Sequence, residues 1–303
     1  MSKAVAFSEY GDPDVLHLVD VEPPRPGPGQ VRIRVKAAGV QPFDCLFRRG
    51  AVAKQVPANF PQQLGNEVSG LVDAVGEGVD DFSVGDAVLG WVTLAAYAEH
   101  AVVGVDQLVP KPRAMPWEAA GVVTASGQTA HTALRELGVG AGDTVLIHAA
   151  AGGVGSFAVQ LALAWGAAVV GTASPRNHDY LRSLGAIPVA YGEGLADRVR
   201  ALAPAIDASF DCVATEESLR TSVELVKELS RVGTVAFNPL HAELGVRRLT
   251  TERSIARLTE LIGLYSEGKL RVEIAETFPL EQAAAAHRAI ETGHVRGKIV
   301  LVP

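Results

Sequence analysis

Along residues 31–35 apolar and basic positions alternate, Val31-Arg32-Ile33-Arg34-Val35, with the period of two expected of a strand that has one buried and one wetted face. Runs of similar character predict further strands at Val68–Val75, Ala87–Trp91 and Ala98–Val103. Gly76-Glu77-Gly78 and Ser83-Val84-Gly85-Asp86 separate them as turns. Many short strands punctuated this way predict a barrel-like β domain. The Pro/Gly cluster at 23–29 reads as a stiff connector between strands rather than a polyproline ligand.

From about Trp117 the pattern changes to strands alternating with helices. Val145–Ile147, bounded upstream by Gly140-Ala141-Gly142-Asp143, reads as a buried strand, and a helical pattern follows from Ser156 to about Trp165. A second strand is predicted at Ala168–Thr172. Ser174 and Pro175 then supply an N-cap and a first-position proline for a helix that stops at Gly185. Strands at Ile187–Tyr191, Ala208–Val213 and Thr234–Phe237 alternate with helices at Ala196–Leu202 and Glu217–Leu229, and a helix at Ser254–Glu267 closes the unit. Such βαβ alternation predicts a doubly wound parallel sheet. A strand, a helix near Leu280–Glu291 and a final strand at Lys298–Val302 complete the chain. The expected fold is α/β in two domains: a β-barrel over 1–120, completed by 268–303, and a parallel-sheet domain over 121–267.

Length and composition agree with two globular domains: 303 residues, 48% hydrophobic and 20% charged. A formal net charge of −7 without any basic run speaks against nucleic acid or an anionic membrane as partner. The start, Met1–Phe7, is too short and too quickly polar for a secretory signal, and no apolar run approaches the roughly 18 residues of a membrane span. The two cysteines, Cys45 and Cys212, form no metal spacing. A cytoplasmic protein is the expectation.

The candidate chemistry centres on Ala150-Ala151-Gly152-Gly153-Val154-Gly155, a dinucleotide fingerprint with alanine at its first small position. Gly152 and Gly153 let backbone amides approach a pyrophosphate, Gly155 allows close helix–strand packing, and the helix N-terminus offers unpaired amides to an anion. An acidic residue after the second strand would select NAD through the ribose 2′-hydroxyl. Here the segment is Gly171-Thr172-Ala173-Ser174-Pro175-Arg176-Asn177, with no acid. Ser174 and Arg176 suit a 2′-phosphate, so NADPH is expected over NADH. Capping alone is the competing role for Ser174, and plain solvation for Arg176.

Several further segments act together: Pro26–Val31, Ala38–Asp44, Leu64–Glu67, Val84–Val88, Ala96–Glu99, Ala149–Gly155 and Arg296–Val300. Through them the chain resembles the medium-chain dehydrogenase/reductase superfamily, in its zinc-free quinone oxidoreductase and enoyl reductase branch. The resemblance implies a GroES-like barrel, a Rossmann domain and an NADPH-lined cleft. Zinc-dependent relatives place cysteine and histidine where this chain has Gln41 and Asn66, and Glu67 alone cannot hold zinc. Without a Lewis acid, reduction of a quinone or an α,β-unsaturated carbonyl is expected rather than alcohol oxidation. The branch also implies an asparagine at Gln41 and a tyrosine at Leu46, the latter a proton donor in some relatives; Leu46 can donate nothing.

By resemblance, Gln41, Asp44 and Cys45 are catalytic candidates, with Gln41 also facing the nicotinamide. Asp44 with Arg48 reads equally as an ion pair, Cys45 as a small buried residue, and Tyr97 as barrel packing or a substitute donor. Thr129, Ala150, Gly152, Gly153, Val154, Gly155, Ser174, Arg176, Tyr191, Phe237 and Asn238 are implied at the cofactor. Leu46, Phe47, Trp91 and Leu94 form either an apolar substrate wall or core. His148 reads as a satisfied strand-end histidine and Asp211 as a loop anchor. A homodimer is implied through a strand after the Rossmann core, although the segment available for it, His241–Thr250, is short. Two other readings stand beside the broad reductase: a pathway-specific enoyl reductase and a non-catalytic NADPH-binding protein.

Overall fold

The computed structural model describes all residues, Met1–Pro303, and they divide into two compact units. Unit 1 comprises Met1–Ala125, Ser254–Ile262 and Val272–Pro303; unit 2 comprises Ser126–Arg253 and Gly263–Arg271.

The first segment of unit 1 contributes strands β1 (Ser2–Phe7), β2 (His17–Val21), β3 (Gln30–Val40), β4 (Gln62–Gln63), β5 (Glu67–Val75), β6 (Ala87–Trp91), β7 (His100–Gly104) and β8 (Leu108–Pro110). Helices α1 (Pro42–Arg48) and α2 (Trp117–Ala120) belong to the same segment, and α3 (Val123–Glu136) begins in it and runs on into unit 2. The alternation that predicted β3 is what burial shows: Val31, Ile33 and Val35 are inside while Arg34 is exposed. β3 is the organising strand. It pairs with β5 along one edge, and with β7 through residues 30–34 along the other. β1, β2 and β4 form a separate antiparallel sheet.

Unit 2 is built on β9 (Thr144–His148), β10 (Ala168–Thr172), β11 (Ile187–Val189), β12 (Ala208–Asp211), β13 (Val232–Thr234) and β14 (Arg247–Arg248). All pair in parallel, in the spatial order β11-β10-β9-β12-β13-β14. The order reverses between β9 and β12, and in open α/β sheets ligands bind beyond the carboxyl ends of strands at such a reversal. Helices α4 (Gly153–Ala164), α5 (His178–Leu184), α6 (Leu195–Leu202), α7 (Glu216–Leu225) and α8 (Leu240–Glu243) connect the strands.

Several strands end earlier than their apolar runs suggest, and each time a polar group takes the backbone out of the ladder. β12 stops at Asp211, whose carboxylate accepts the Val213 and Ala214 amides, both at 2.8 Å. β13 stops at Thr234, whose hydroxyl accepts the Ala236 amide at 3.1 Å. The helix after β10 begins with a 3₁₀ turn, Pro175–Asn177, and ends at the left-handed Gly185. α7 ends at Leu225 because Val226 is extended and bridges to Ile206.

After α9 (Ile255–Ser266) the chain forms β15 (Ile274–Pro279), α10 (Ala283–Glu291) and β16 (Lys298–Val302). β16 pairs antiparallel with Val40, Gly39 and Ala38 at the far end of β3, so this tail completes the barrel sheet. No helix is long and apolar enough to cross a membrane.

Candidate active site

In unit 2 the loop between β9 and α4 carries the fingerprint. Gly152 is the N-cap of α4, a helix of 12 residues with no acidic side chain in its first turn. The helix's partial positive charge at its opening amides is therefore not offset by an acid of its own first turn. The glycines have distinct steric reasons. A Cβ on Gly155 would lie 2.3 Å from the Ala149 carbonyl oxygen and 2.8 Å from the Ala150 Cα, so only glycine lets the helix start against its strand. A Cβ on Gly152 would meet only the Ala149 oxygen, at 3.2 Å. Alanine is accepted at position 150 because its neighbour on β10 is Gly171, where a Cβ would sit 2.8 Å from that of Ala150. Ala149 holds φ at +53°, a left-handed conformation that lets its oxygen accept the Gly152 amide at 2.9 Å.

These residues fit a dinucleotide. Ala150 is fully buried, while Gly152, Gly153 and Val154 are half-buried at the helix start. Ser174 caps the 3₁₀ turn by position but makes no capping bond to the backbone. Its hydroxyl instead accepts from the Asn177 side chain at 3.3 Å. Arg176 is exposed one turn into that segment. Tyr191 and Phe237 are 55% and 74% exposed just past β11 and β13, large apolar surface left in solvent at the strand ends where a ligand belongs. Asn238 ties two such loops together, donating to the Ala214 carbonyl at 2.9 Å and accepting from the Leu240 amide at 3.0 Å. Thr129 lies on α3, with its hydroxyl 2.6 Å from that of Thr251.

Two expectations for this unit need correcting. His148 is not satisfied: Nδ1 lies 3.5 Å from the Thr172 hydroxyl, and the buried Nε2 has no hydrogen-bond partner. Burial pulls its pKa down, so the ring is neutral. Cys212 lies just beyond β12 and is half-buried rather than inside the strand.

In unit 1 the catalytic candidates belong to a buried polar network around α1. Pro42 opens the helix and Gln41 is its N-cap. Asp44, at the third helical position, turns back so that Oδ2 accepts the Gln41 amide at 2.9 Å. The same oxygen accepts the Tyr97 hydroxyl at 2.8 Å, and Oδ1 accepts Asn66 Nδ2 at 2.9 Å. Full burial pushes Asp44 up from 3.8 to about 6, with the bonds from Tyr97, Gln41 and Asn66 opposing it. Three donors and no acceptor make this a site for the carboxylate.

The network continues to the tail helix α10. Tyr97 Oη lies 3.4 Å from His287 Nε2, and His287 Nδ1 lies 3.3 Å from Arg48 Nη1. A guanidinium only donates, so Nδ1 must accept and the imidazole proton sits on Nε2, facing Tyr97. Burial, with help from Arg48, holds His287 down at about 3 and keeps it neutral. Hydrogen bonds therefore run one way, from Arg48 through His287 and Tyr97 to Asp44. Arg48 itself pairs with Glu291 at 2.5 Å, so the Asp44–Arg48 ion pair, one of the two roles the resemblance left open for them, does not form.

Beside this lies a second buried set. Glu67 Oε1 accepts from Gln41 Nε2 and lies 3.2 Å from Lys298 Nζ, while Oε2 accepts the Ala125 amide at 2.6 Å. A Cβ on Gly39 would collide with the Glu67 carboxylate, at 2.1 Å. The two positions where zinc-dependent relatives carry cysteine and histidine thus hold carboxamides that donate to carboxylates, and the chain has no cluster of three metal-binding side chains.

Burial sorts the remaining candidates. Cys45 is 4% exposed, its thiol pushed well up by burial and its Sγ 3.5 Å from His287 Nδ1; it is a packed thiol rather than an acid poised at a surface. Phe47 is wholly buried in the barrel core, edge-on to Phe7, so it is packing and not a substrate wall. Leu46 is 42% exposed, and Phe43, which sequence reasoning passed over, is 39% exposed three residues earlier on α1. Trp91 and Leu94 are half-buried. The roles of His287 and Glu291 leave no local pattern because their links to α1 span the length of the chain, and Lys298, although it stands in the segment Arg296–Val300, gives no local sign of its partner Glu67.

Residues 27–113 match the alcohol dehydrogenase GroES-like domain family and residues 184–301 the zinc-binding dehydrogenase family. The chain is similar to a quinone oxidoreductase of Pseudomonas aeruginosa, 36% identical over 333 residues and covering 100% of both chains. It is 31% identical to a 2-haloacrylate reductase of Burkholderia sp, covering 100% of this chain and 99% of that one. A solved quinone oxidoreductase of Escherichia coli, in complex with NADPH, superposes with a TM-score of 0.86 at 26% identity, over 99% of this chain and 100% of that one. A GroES-like barrel joined to a parallel sheet of this strand order places the chain in the medium-chain dehydrogenase/reductase superfamily, to which it belongs. Within that superfamily it falls in the quinone oxidoreductase branch, and it is an oxidoreductase of that kind.

Proposed function

We propose that the protein is an NADPH-dependent, metal-independent reductase that passes hydride to a quinone or an α,β-unsaturated carbonyl. The observation carrying this reading is the start of α4, where Gly155 lets the helix begin directly against its strand and no acidic side chain stands in the first turn, followed after β10 by Ser174 and Arg176 in place of an acid. When bound, NADPH would supply the hydride.

The amides of Gly153, Val154 and Gly155 would hold the pyrophosphate, beside Gly152, whose own amide is bonded to the Ala149 oxygen. Ser174 and Arg176 would take the 2′-phosphate, the first by a hydrogen bond and the second by charge-assisted ones. Tyr191, Phe237 and Asn238 would border the nucleotide on unit 2, as Thr129 would on its nicotinamide side. On unit 1, Gln41 is held by Glu67, and Asn66 by Asp44. The exposed faces of Phe43 and Leu46 would meet an apolar acceptor. Because Leu46 carries no proton and Cys45 is buried, a quinone, which needs no placed acid, is the acceptor this site serves most readily. The likeness to a 2-haloacrylate reductase supports a second reading, a dedicated conjugated acceptor.

The test follows loss of reduced nicotinamide absorbance, with NADPH and NADH in parallel, against a panel of quinones and enones. Turnover with NADPH and several quinones is expected. Activity confined to one enone would select the dedicated reductase, and tight NADPH binding without turnover a non-catalytic role. A preference for NADH would sink the cofactor assignment. Replacing Ser174 and Arg176 together by alanine is expected to cut the preference for NADPH by about tenfold or more.

A further inference from the structure

The loop after β11, residues 190–194, contains two left-handed glycines, Gly192 at φ +106° and Gly194 at φ +78°, and such a segment would ordinarily be loose. Here its carbonyls converge on one guanidinium. Arg198, in the second turn of α6, donates to the Ala190 oxygen from Nε at 3.2 Å and Nη2 at 3.0 Å. It also donates to the Gly192 oxygen at 2.7 Å and the Glu193 oxygen at 2.6 Å. The Gly192 amide donates to Glu217 Oε2 at 2.9 Å. The loop is thus gripped by a cation through its oxygens and by a carboxylate through a nitrogen.

A guanidinium finds more electrostatic energy in a carboxylate than in neutral carbonyls. Arg198 gives its fork to three carbonyls, and what that arrangement gains is shape. The planar fork fixes the peptide plane before Tyr191 through the Ala190 oxygen, and Glu217 fixes the plane after it through the Gly192 amide; Tyr191 itself is 55% exposed at the carboxyl end of β11. With its donors turned onto the loop, Arg198 is unsuited to gripping a phosphate directly.

We propose that Arg198, assisted by Glu217, is a positioning residue for cofactor selection: it holds Tyr191 where the phosphate-bearing ribose of NADPH binds. This rests on the reading of Tyr191 as a residue at the adenosine phosphate. Rigid loops contribute to affinity because their ordering cost is met before the ligand arrives. A positioned Tyr191 therefore favours the nucleotide that has a 2′-phosphate to meet, and not the one that lacks it.

The experiment is fluorescence titration of the full-length protein with NADPH and with NADH, for Arg198→Met, Arg198→Lys, Tyr191→Ala and the double variant Tyr191→Ala/Arg198→Met. Arg198→Met is expected to raise the Kd for NADPH about tenfold and that for NADH by less than about twofold. Arg198→Lys, a point charge without the fork, is expected to fall between, and it carries the test if the Met variant does not fold. In the double variant the effects should not add, since removing Tyr191 leaves Arg198 nothing to position. Equal weakening of both nucleotides by Arg198→Met, or full additivity with Tyr191→Ala, overturns the proposal by showing a general or independent role. If Tyr191→Ala leaves the NADPH preference intact, the reading of Tyr191 fails and the proposal with it. If the unaltered protein binds neither nucleotide, the reading of the glycine loop is what has failed.

Discussion

Replacing Tyr97 by phenylalanine removes one hydroxyl and leaves the ring, so the tight approach of Gly65, where a Cβ would lie 2.4 Å from Tyr97 Cδ1, is undisturbed. Two consequences follow. His287 loses the acceptor of its Nε2 proton, a buried unpaired donor worth about 1–3 kcal/mol at any pH. Asp44 loses a charge-assisted bond, about 1.5–3 kcal/mol, and only when it is ionised. In the intact protein Asp44 is raised from 3.8 to about 6, opposite to the usual ion-paired aspartate. The folded state therefore binds this proton more tightly than the unfolded state. Stability falls as pH rises from 3.8 to about 6, by about 3 kcal/mol, and is flat above. Losing the Tyr97 bond, which favours the ionised form, moves the folded value further up. The variant's deficit should be smallest near about pH 5, where Asp44 is protonated with or without Tyr97, and should reach its full extent above about pH 8. Urea unfolding across this range reads it out, with Trp91 and Trp117 reporting on unit 1. In an Asp44→Asn background the effect of Tyr97→Phe should not depend on pH. A deficit as large near pH 5 as above pH 8, within about 0.5 kcal/mol, would refute the assignment of Asp44 as the anion this network serves.

Lys298→Met strands the Glu67 carboxylate in the barrel without its cation and should cost about 3–5 kcal/mol; thermal unfolding should show most of that recovered in Glu67→Gln/Lys298→Met. Ala149→Gly relieves a left-handed alanine, worth about 1–2 kcal/mol, against about 0.4–1 kcal/mol of added freedom in the unfolded chain. A modest rise in melting temperature is expected by calorimetry, and a fall would mean the loop needs the methyl group for packing. Gly171→Ala should destabilise unit 2 by driving a methyl group against Ala150, and Ala150→Gly in the same chain should restore it; failure of that rescue would place the clash elsewhere, Leu181 being the other neighbour at 3.2 Å.

What could be read in advance was whatever the chain writes locally. β3 declared itself because its alternate residues enter the core, and β9 with α4 because a strand, small residues and a helix follow in direct succession. Strand ends depart from the sequence pattern where a side chain intervenes: the pattern extends through Val213, but Asp211 draws two amides away from the sheet. The polar network of unit 1 was least legible. Asp44 and Arg48, one helical turn apart, suggest a pair, but the capping position turns Asp44 toward Gln41 and Tyr97, while Glu291 takes Arg48. Phe47 and Leu46 are adjacent and both apolar, and only the packed barrel separates core from surface between them.

The pairing of β16 with the far end of β3 bears on how the molecule is made. A ribosome delivers the chain from its N-terminus, and domains generally fold as they emerge. Unit 2 has all its residues once Arg271 is out, whereas the barrel, although it is begun first, lacks an edge until Lys298–Val302 arrives. During that interval β3 exposes the backbone groups of residues 38–40 to any extended segment nearby. The order in which the two units are completed is thereby inverted relative to the order in which they are begun, and the nascent barrel, rather than the parallel-sheet unit, is the part of this protein that a chaperone would have most reason to hold.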